Sequence, residues 1–153
     1  MMREPTQAPD AWGRVFSMPQ DIAEGSDSEK AAWAVGLLTG MVGDSDVEVK
    51  DITIENTEKT YEKLEIHQSS PQVYAVLTGS VRVPVALELN GNKVRFCEVA
   101  SGQALVVRAG VWHASAVGVD LPAKLVVVLR KGTSETDTTK LPVSPVVGWG
   151  STS

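Results

Sequence analysis

Glu65-Ile-His-Gln-Ser-Ser-Pro-Gln-Val-Tyr-Ala-Val-Leu-Thr-Gly79 is the stretch of sequence that decides how this chain folds. In a β-strand the side chains alternate between two faces, so Glu65 and His67 point the same way with their Cα atoms roughly 7 Å apart. That separation allows a carboxylate and an imidazole to bind one ion. The run over residues 72–77 predicts a second strand, which ends at the turn signal Thr78-Gly79.

A second segment, residues 102–113, completes the pattern with Gly102, Gly110 and His113. Together the two segments resemble the two motifs of the cupin superfamily, in which a short β-barrel directs a few polar side chains at a metal ion. In this comparison Glu65 stands at the first histidine of the cupin motifs, His67 at the second histidine, Gln72 at the glutamate and His113 at the last histidine.

The chemistry of these side chains leaves several roles open. The chain has only two histidines, and we expect both to contact a metal or a substrate rather than to be ordinary buried histidines. Glu65 can be a ligand or a general base, because burial would raise its pKa toward the useful range. Gln72 is a weak neutral ligand that can instead orient a substrate. Tyr74 has the same parity as Gln72, so it either lines the same cavity or belongs to the core.

Composition limits the function. A length of 153 residues predicts one domain over residues 1–153. The net charge of -5, with acids and bases mixed along the chain, gives no basic patch for nucleic acid. No apolar run is long enough to span a bilayer. The lone Cys97 and the absence of an apolar leader predict a cytoplasmic protein, and Cys97 is expected to be a buried thiol.

Short β-rich runs between turn signals predict an all-β barrel or jelly roll, with an N-terminal strand extension over residues 11–16. Asn90-Gly91 predicts a two-residue hairpin turn. Opposite parities in residues 47–49 and 52–54 predict a turn or bulge between them. Further predictions are a strand over residues 31–42, a strand buried on both faces over 124–129, and an extended, loosely held tail over 132–153.

A narrower likeness appears when the motifs are read together. Two parts of the sequence are similar to the ureidoglycolate lyase family, also called ureidoglycolate hydrolase. The first is Leu64-Glu65-x-His67, four residues, Gln72-x-Tyr74, then Leu77-x-Gly79, and the second is Gly110-Val111-Trp112-His113. That family reads Leu-Glu-Arg-His, four residues, Gln-Ala-Phe, a hydrophobic residue, one more and glycine, and later Val-Trp-His-His. The replacements that depart from the general cupin pattern are those this family carries.

The resemblance implies a cupin-type double-stranded β-helix enzyme that cleaves ureidoglycolate to glyoxylate and urea in allantoin breakdown, as a homodimer with a divalent metal. Two neutral imidazoles and a carboxylate suit first-row transition ions. The implied metal ligands are His67, His113, Glu65 and Gln72. The implied catalytic residues are Glu65, Gln72, Tyr74 and Arg108. Three cations are candidates to hold the carboxylate of a small anionic substrate: Arg108, Lys63 and Arg82.

The chain also departs from that family. The family's Asp-Phe-Leu-x-x-Asp-Arg becomes residues 124–130 of this sequence, so Lys124 and Leu129 replace two acids. Two alternatives therefore stand beside the lyase. One is a different small metal-dependent cupin enzyme acting on a hydroxy or sugar acid, and the other is a non-catalytic cupin that binds a small metabolite.

Overall fold

The computed structural model describes residues 11–17 and 46–149, and the strand predicted over residues 31–42 lies outside them. Within the described ranges no helix is long and apolar enough to cross a membrane. The all-β prediction is confirmed, since those ranges contain only one four-residue helix. The elements are β1 (Gly13–Ser17), β2 (Val47–Ile54), β3 (Glu58–Ile66), β4 (Gln72–Ala86), β5 (Arg95–Ala100), β6 (Gln103–Val107), β7 (Trp112–His113), β8 (Val117–Arg130), α1 (Thr133–Thr136) and β9 (Thr139–Trp149).

The long strand β4 organises the sheet, in which every described pair is antiparallel. β4 pairs with β5, β6, β7 and β8, while β1 extends the sheet beyond β6 and β2 extends it beyond β8. On the other side, β3 lies between β7 and β9. The predicted N-terminal strand extension is therefore present as β1. Because β4 pairs with four strands and β3 joins β9 to β7, the sheet curls around one interior.

The interior is filled mainly by β-branched and leucine side chains, which pack well on a pleated surface. Among the described residues, the largest of the fully buried side chains are apolar except for His113: Leu64, Leu105, Leu125, Leu129, His113, Val76, Val81, Val83, Val85, Val99, Val106 and Val107. Burying one valine or leucine in this way contributes about 1.5–3 kcal/mol. This apolar wall holds the buried polar side chains of the candidate site, which lie at one part of the interior. Cys97 is a buried thiol, as predicted.

Gly79 lies inside β4, so the prediction that the strand ends at Thr78-Gly79 is wrong. The register against β8 shifts on both sides of Thr78 and again between Ser80 and Val81. Gly79 has φ +73, a left-handed conformation that glycine adopts without strain. The glycine therefore bends a continuous strand, as in a β-bulge, instead of terminating it.

The predicted hairpin exists, but its turn is longer than two residues. The last β4–β5 pair is Val85 with Arg95, and a 3-10 turn over Gly91–Lys93 lies in the connection. The side chain of Asn90 accepts a hydrogen bond from the Asn92 backbone N–H at 2.9 Å. This local side-chain contact favours a looser turn over the two-residue form.

β2 runs unbroken from Val47 to Ile54 against β8, so neither the predicted turn nor the bulge is present. Continuous pairing with β8 keeps Ile52 and Ile54 on the inner side and leaves Val49 63% exposed. In β8, the prediction that residues 124–129 are buried on both faces is wrong, because only every second side chain is buried. Leu125, Val127 and Leu129 are buried, whereas Val126 and Val128 are only half-buried.

The tail is not loosely held. After α1 it forms β9, which pairs along β3 with Glu65 opposite Lys140 and Ile66 opposite Thr139. The polar composition of this segment suggested loose attachment, but β3 pairs with it on both sides of one irregularity between Tyr61 and Lys63. The C-terminal strand is therefore part of the wall that positions the candidate site.

Candidate metal centre

Strand ends bring four side chains of the first and second motifs together. Glu65 lies on β3, and His113, on β7, is its direct partner in the sheet. His67 follows the end of β3, and Gln72 is the first residue of β4. Because β3, β4 and β7 are hydrogen-bonded neighbours, the predicted parity of Glu65 and His67 directs both into the same space as the other two side chains.

The atoms of this group are close together and mostly buried. Gln72 Oε1 lies 2.9 Å from His67 Nε2 and 3.2 Å from His113 Nε2. Glu65 Oε2 lies 3.6 Å and 3.4 Å from the same two nitrogens. The carboxylate and the two imidazoles offer one ligand atom each, all within 4.8 Å of one another. His67 is 3% exposed and His113 1% exposed.

The outer ring nitrogens determine which atoms face the centre. His67 Nδ1 lies 2.9 Å from the backbone oxygen of Asp137, and His113 Nδ1 lies 3.0 Å from that of Val111. A carbonyl oxygen only accepts hydrogen bonds, so each Nδ1–H is the donor. In the neutral ring this leaves a lone pair on each Nε2. Two ring nitrogens, one amide oxygen and one carboxylate oxygen then face each other with no proton among them.

The close contacts among these side chains shift the pKa values of Glu65 and His67. Burial raises the pKa of Glu65, but hydrogen bonds and charge from His113 and His67 outweigh burial and hold that pKa well below its ordinary value. The prediction that the pKa of Glu65 is raised toward the useful range of a base is therefore wrong, because the two histidines lower that pKa by more than burial raises it. Burial lowers the pKa of His67, yet the contacts with Glu65 and the Asp137 carbonyl raise it overall.

These residues fit a divalent metal ion. Four acceptor atoms that converge without a donor repel one another unless a cation lies among them. Two imidazoles and a carboxylate are the donor set of many zinc and non-haem iron or manganese sites. The Nδ1 contacts to carbonyls are the supporting hydrogen bonds usual for metal-binding histidines.

A cavity of about 440 Å³ opens beside Glu65 and Gln72. Tyr74 lines it, and its hydroxyl donates to the backbone oxygen of Ala114 at 3.0 Å. Tyr61 lines it as well and donates to the oxygen of Ser115 at 2.7 Å. Burial raises the pKa of both tyrosines, so both keep their protons. They hold the segment that follows His113 against the cavity wall.

The predicted cationic residues divide between the cavity and the outer surface. Lys63 lines the cavity. Arg108 is not among the lining residues, and its backbone N–H donates to the oxygen of Trp12. Arg82 pairs with Glu98 at 3.4 Å.

Sequence reasoning missed three other lysines that line the cavity, Lys50, Lys59 and Lys140. Lys140 Nζ lies 3.9 Å from Glu65 Oε1. Lys140 is opposite Glu65 only because β9 pairs with β3, and no local pattern in the sequence reveals that register.

Comparison with known proteins supports the fold. No family model and no curated protein matches the chain. Oxalate decarboxylase from Bacillus subtilis matches with 20% identity and a TM-score of 0.50 over 63% of this chain and 24% of that one. The 3,4-ketoisomerase QdtA from Thermoanaerobacterium thermosaccharolyticum, in complex with TDP-4-keto-6-deoxyglucose, matches with 22% identity and a TM-score of 0.49 over 61% of this chain and 66% of that one. The chain thus spans less than two thirds of either protein. The structural likeness to oxalate decarboxylase confirms the predicted cupin-type jelly-roll fold.

Proposed function

We propose that this chain is a metal-dependent enzyme of the cupin fold that acts on a small carboxylate-bearing hydroxy acid, with ureidoglycolate as the first candidate substrate. Glu65, His67 and His113 hold a divalent first-row transition ion, and Gln72 is the fourth neighbour. The proposal depends on one observation: four acceptor atoms converge while both Nδ1 atoms are engaged by backbone carbonyls.

The charge of the cavity favours an anionic substrate. Four lysines line it, Lys50, Lys59, Lys63 and Lys140, against two acids, Glu62 and Glu65. The chain as a whole carries a net charge of -5, so this local excess of positive charge runs against its average. A cavity with one sign of charge and apolar walls attracts ligands of the opposite sign.

The residues suit the cleavage of a hemiaminal such as ureidoglycolate. When its hydroxyl proton passes to the urea nitrogen, directly or through water, a carbonyl forms as the C–N bond breaks, and the electron pair of that bond stays on the nitrogen, which gives glyoxylate and urea. A bound divalent ion would supply a Lewis acid for the substrate carboxylate and hydroxyl. Glu65 remains a carboxylate and therefore a ligand, while Lys140 is a cation that can bind the substrate carboxylate or protonate the leaving nitrogen.

One observation favours the alternative, a related enzyme acting on another hydroxy or sugar acid. Leu129 stands where the ureidoglycolate lyase family has an acid, and it pairs directly with Gln72 in the sheet. Leu129 is 2% exposed and belongs to the apolar core, so this position cannot bind or transfer a proton. Lys124, at the other replaced acid, is exposed on the outer face of β8. The loss at Leu129 therefore changes the wall of the site itself.

Metal analysis tests the proposal first. Protein purified without chelator is expected to carry about one equivalent of divalent metal, and His67→Ala and His113→Ala are expected to lose it because each removes a ligand. Glu65→Gln should bind metal more weakly. Glu58→Gln is the matched control, since Glu58 lies on the same strand outside the cavity and should keep full occupancy. A wild-type protein without metal affinity would favour the non-catalytic cupin.

Urea release then separates the two enzyme proposals. The metal-loaded protein is incubated with ureidoglycolate, and urea and glyoxylate are measured over a range of pH. Release that depends on the metal supports the lyase. If the metal is bound and no urea appears, a panel of small hydroxy and sugar acids is the next screen.

The homodimer that the family resemblance implies is tested by sedimentation, which should give twice the chain mass of 16.3 kDa.

A further inference from the structure

The candidate ligand His67 lies in a loop, and a loop by itself does not fix a ligand. β3 ends at Ile66 and β4 begins at Gln72, so His67 has no strand partner of its own. A metal site needs its ligands held close to the productive geometry by surrounding hydrogen bonds. The contacts of this loop therefore show what holds the imidazole.

Asp137 holds the backbone directly after His67. One oxygen of its carboxylate accepts from the Gln68 backbone N–H at 2.9 Å, and the other accepts from the Ser69 N–H at 2.8 Å. Both carboxylate oxygens are thus engaged by two consecutive peptide groups. A charged acceptor makes each of these bonds stronger than a neutral one.

Asp137 also holds the ring of His67. Its backbone oxygen is the acceptor for Nδ1–H of His67 at 2.9 Å. The neighbouring Thr138 hydroxyl lies 3.2 Å from the same nitrogen and gives its own proton to the oxygen of Thr133, so it too can only accept from the ring. One residue therefore fixes both the peptide that follows His67 and the nitrogen that carries the ring proton.

The sheet register explains why Asp137 is in this position. Glu65 lies opposite Lys140 and Ile66 opposite Thr139. Continuing the antiparallel pairing two residues further places Asp137 opposite Gln68, beyond the end of β3. Asp137 thus prolongs the β3–β9 contact into the loop with its side chain.

We propose that Asp137 is a positioning residue for His67: it sets the tautomer and orientation of the imidazole and thereby the affinity of the site for a divalent cation. The inference rests on the proposed metal site. Asp137 does not touch the centre, because its contacts are to Nδ1 and to the backbone. It acts only through His67, while His113 has an independent acceptor in Val111.

Zn²⁺ affinity is the first test, measured by competition with a chelating dye. Asp137→Ala keeps the backbone oxygen that accepts from Nδ1 but removes the carboxylate that holds the Gln68 and Ser69 N–H groups. It should weaken Zn²⁺ binding by about tenfold or more, the usual loss when an outer contact that orients a metal ligand is removed. Asp137→Asn keeps one acceptor oxygen and should fall between this variant and the wild type. Glu135→Gln removes the same charge two residues away, at an exposed position of α1, and should bind like the wild type.

The second test reads the imidazole tautomers of the metal-free protein by long-range ¹H–¹⁵N NMR, at a pH where both rings are neutral. Both histidines should carry the proton on Nδ1 in the wild type. In Asp137→Ala the backbone oxygen of residue 137 remains, but the loop after His67 loses its carboxylate clamp, so His67 should become a mixture of tautomers, while His113 should stay unchanged as the internal reference. A general loss of structure would alter both rings.

The outcomes separate this inference from the proposed function. Unchanged Zn²⁺ affinity with an unchanged His67 tautomer in folded Asp137→Ala overturns it. If the wild type binds no Zn²⁺, the proposed function fails, and the tautomer measurement alone decides the role of Asp137. Should Asp137→Ala fail to fold, Asp137→Asn decides, because it preserves the shape of the side chain.

Discussion

Gly79 and Gly110 allow the cost of a steric collision to be measured apart from the cost of backbone strain. Both glycines have left-handed backbones, with φ +73 and φ +81. A Cβ at Gly79 would lie 2.5 Å from the oxygen of Pro122 and 2.9 Å from Cα of Ala123, and closer still to the oxygen of Asp120. These are backbone atoms of β8 and cannot rotate away. A Cβ at Gly110 would meet nothing nearer than a side-chain atom at 3.9 Å.

The two alanine variants should therefore differ in stability. The left-handed conformation costs an alanine about 1–2 kcal/mol, and this applies to both positions. Gly110→Ala should lose about that amount. Gly79→Ala adds an overpacking collision of about 1–3 kcal/mol, for a total of about 2–5 kcal/mol. The entropy that glycine gives the unfolded chain is the same in both variants and cancels in the comparison.

The assay is urea unfolding followed by tryptophan fluorescence, with chelator present so that metal binding does not enter the free energy. Thermal unfolding should agree, with a fall of about 2–4 °C in Tm for each kcal/mol in a chain of this size. If Gly79→Ala is no less stable than Gly110→Ala, the contact between the β4 bend and β8 is not the constraint inferred here.

Four other measurements follow from the site and the core. Adding Zn²⁺ at about 100 times its Kd should stabilise the wild type by about 2.7 kcal/mol in calorimetry and leave His113→Ala unchanged. Because Zn²⁺ displaces a proton from His67, whose pKa lies above the ordinary 6.5, Zn²⁺ affinity should begin to fall at a higher pH than for an ordinary imidazole as the pH is lowered. Lys140→Met should raise KM for the anionic substrate about tenfold, whereas Lys131→Met, at an exposed position, should leave KM unchanged. Leu105→Ala should cost about 2–5 kcal/mol in urea unfolding, because it opens a cavity in the buried interior.

Local patterns predicted the part of the site that depends on strand geometry. The alternation of side chains was enough to place Glu65 and His67 on one face, because that parity belongs to a single strand. The second motif was enough to add His113. The direction in which the pKa of Glu65 is shifted was not predictable in the same way, since it depends on the positions of the His67 and His113 imidazoles in the folded chain.

The parts that sequence reasoning missed depend on long-range pairing. Lys140 and Asp137 reach the site because β9 pairs with β3, some 70 residues earlier in the chain. A polar tail with two prolines gives no sign of that partner. The prediction that the strand ends at Gly79 failed for another reason: a glycine with positive φ looks the same in sequence whether it ends a strand or bends one.

The β3–β9 register also has a consequence for the order of events during synthesis. A chain is made from its N-terminus, so Glu65, His67 and Gln72 leave the ribosome well before Asp137 does. Until then the loop after His67 lacks its clamp, and an ion that arrives early meets an incompletely ordered site. For the proposed metal site, loading would then follow the pairing of β9 with β3, because that pairing brings Asp137 to the loop.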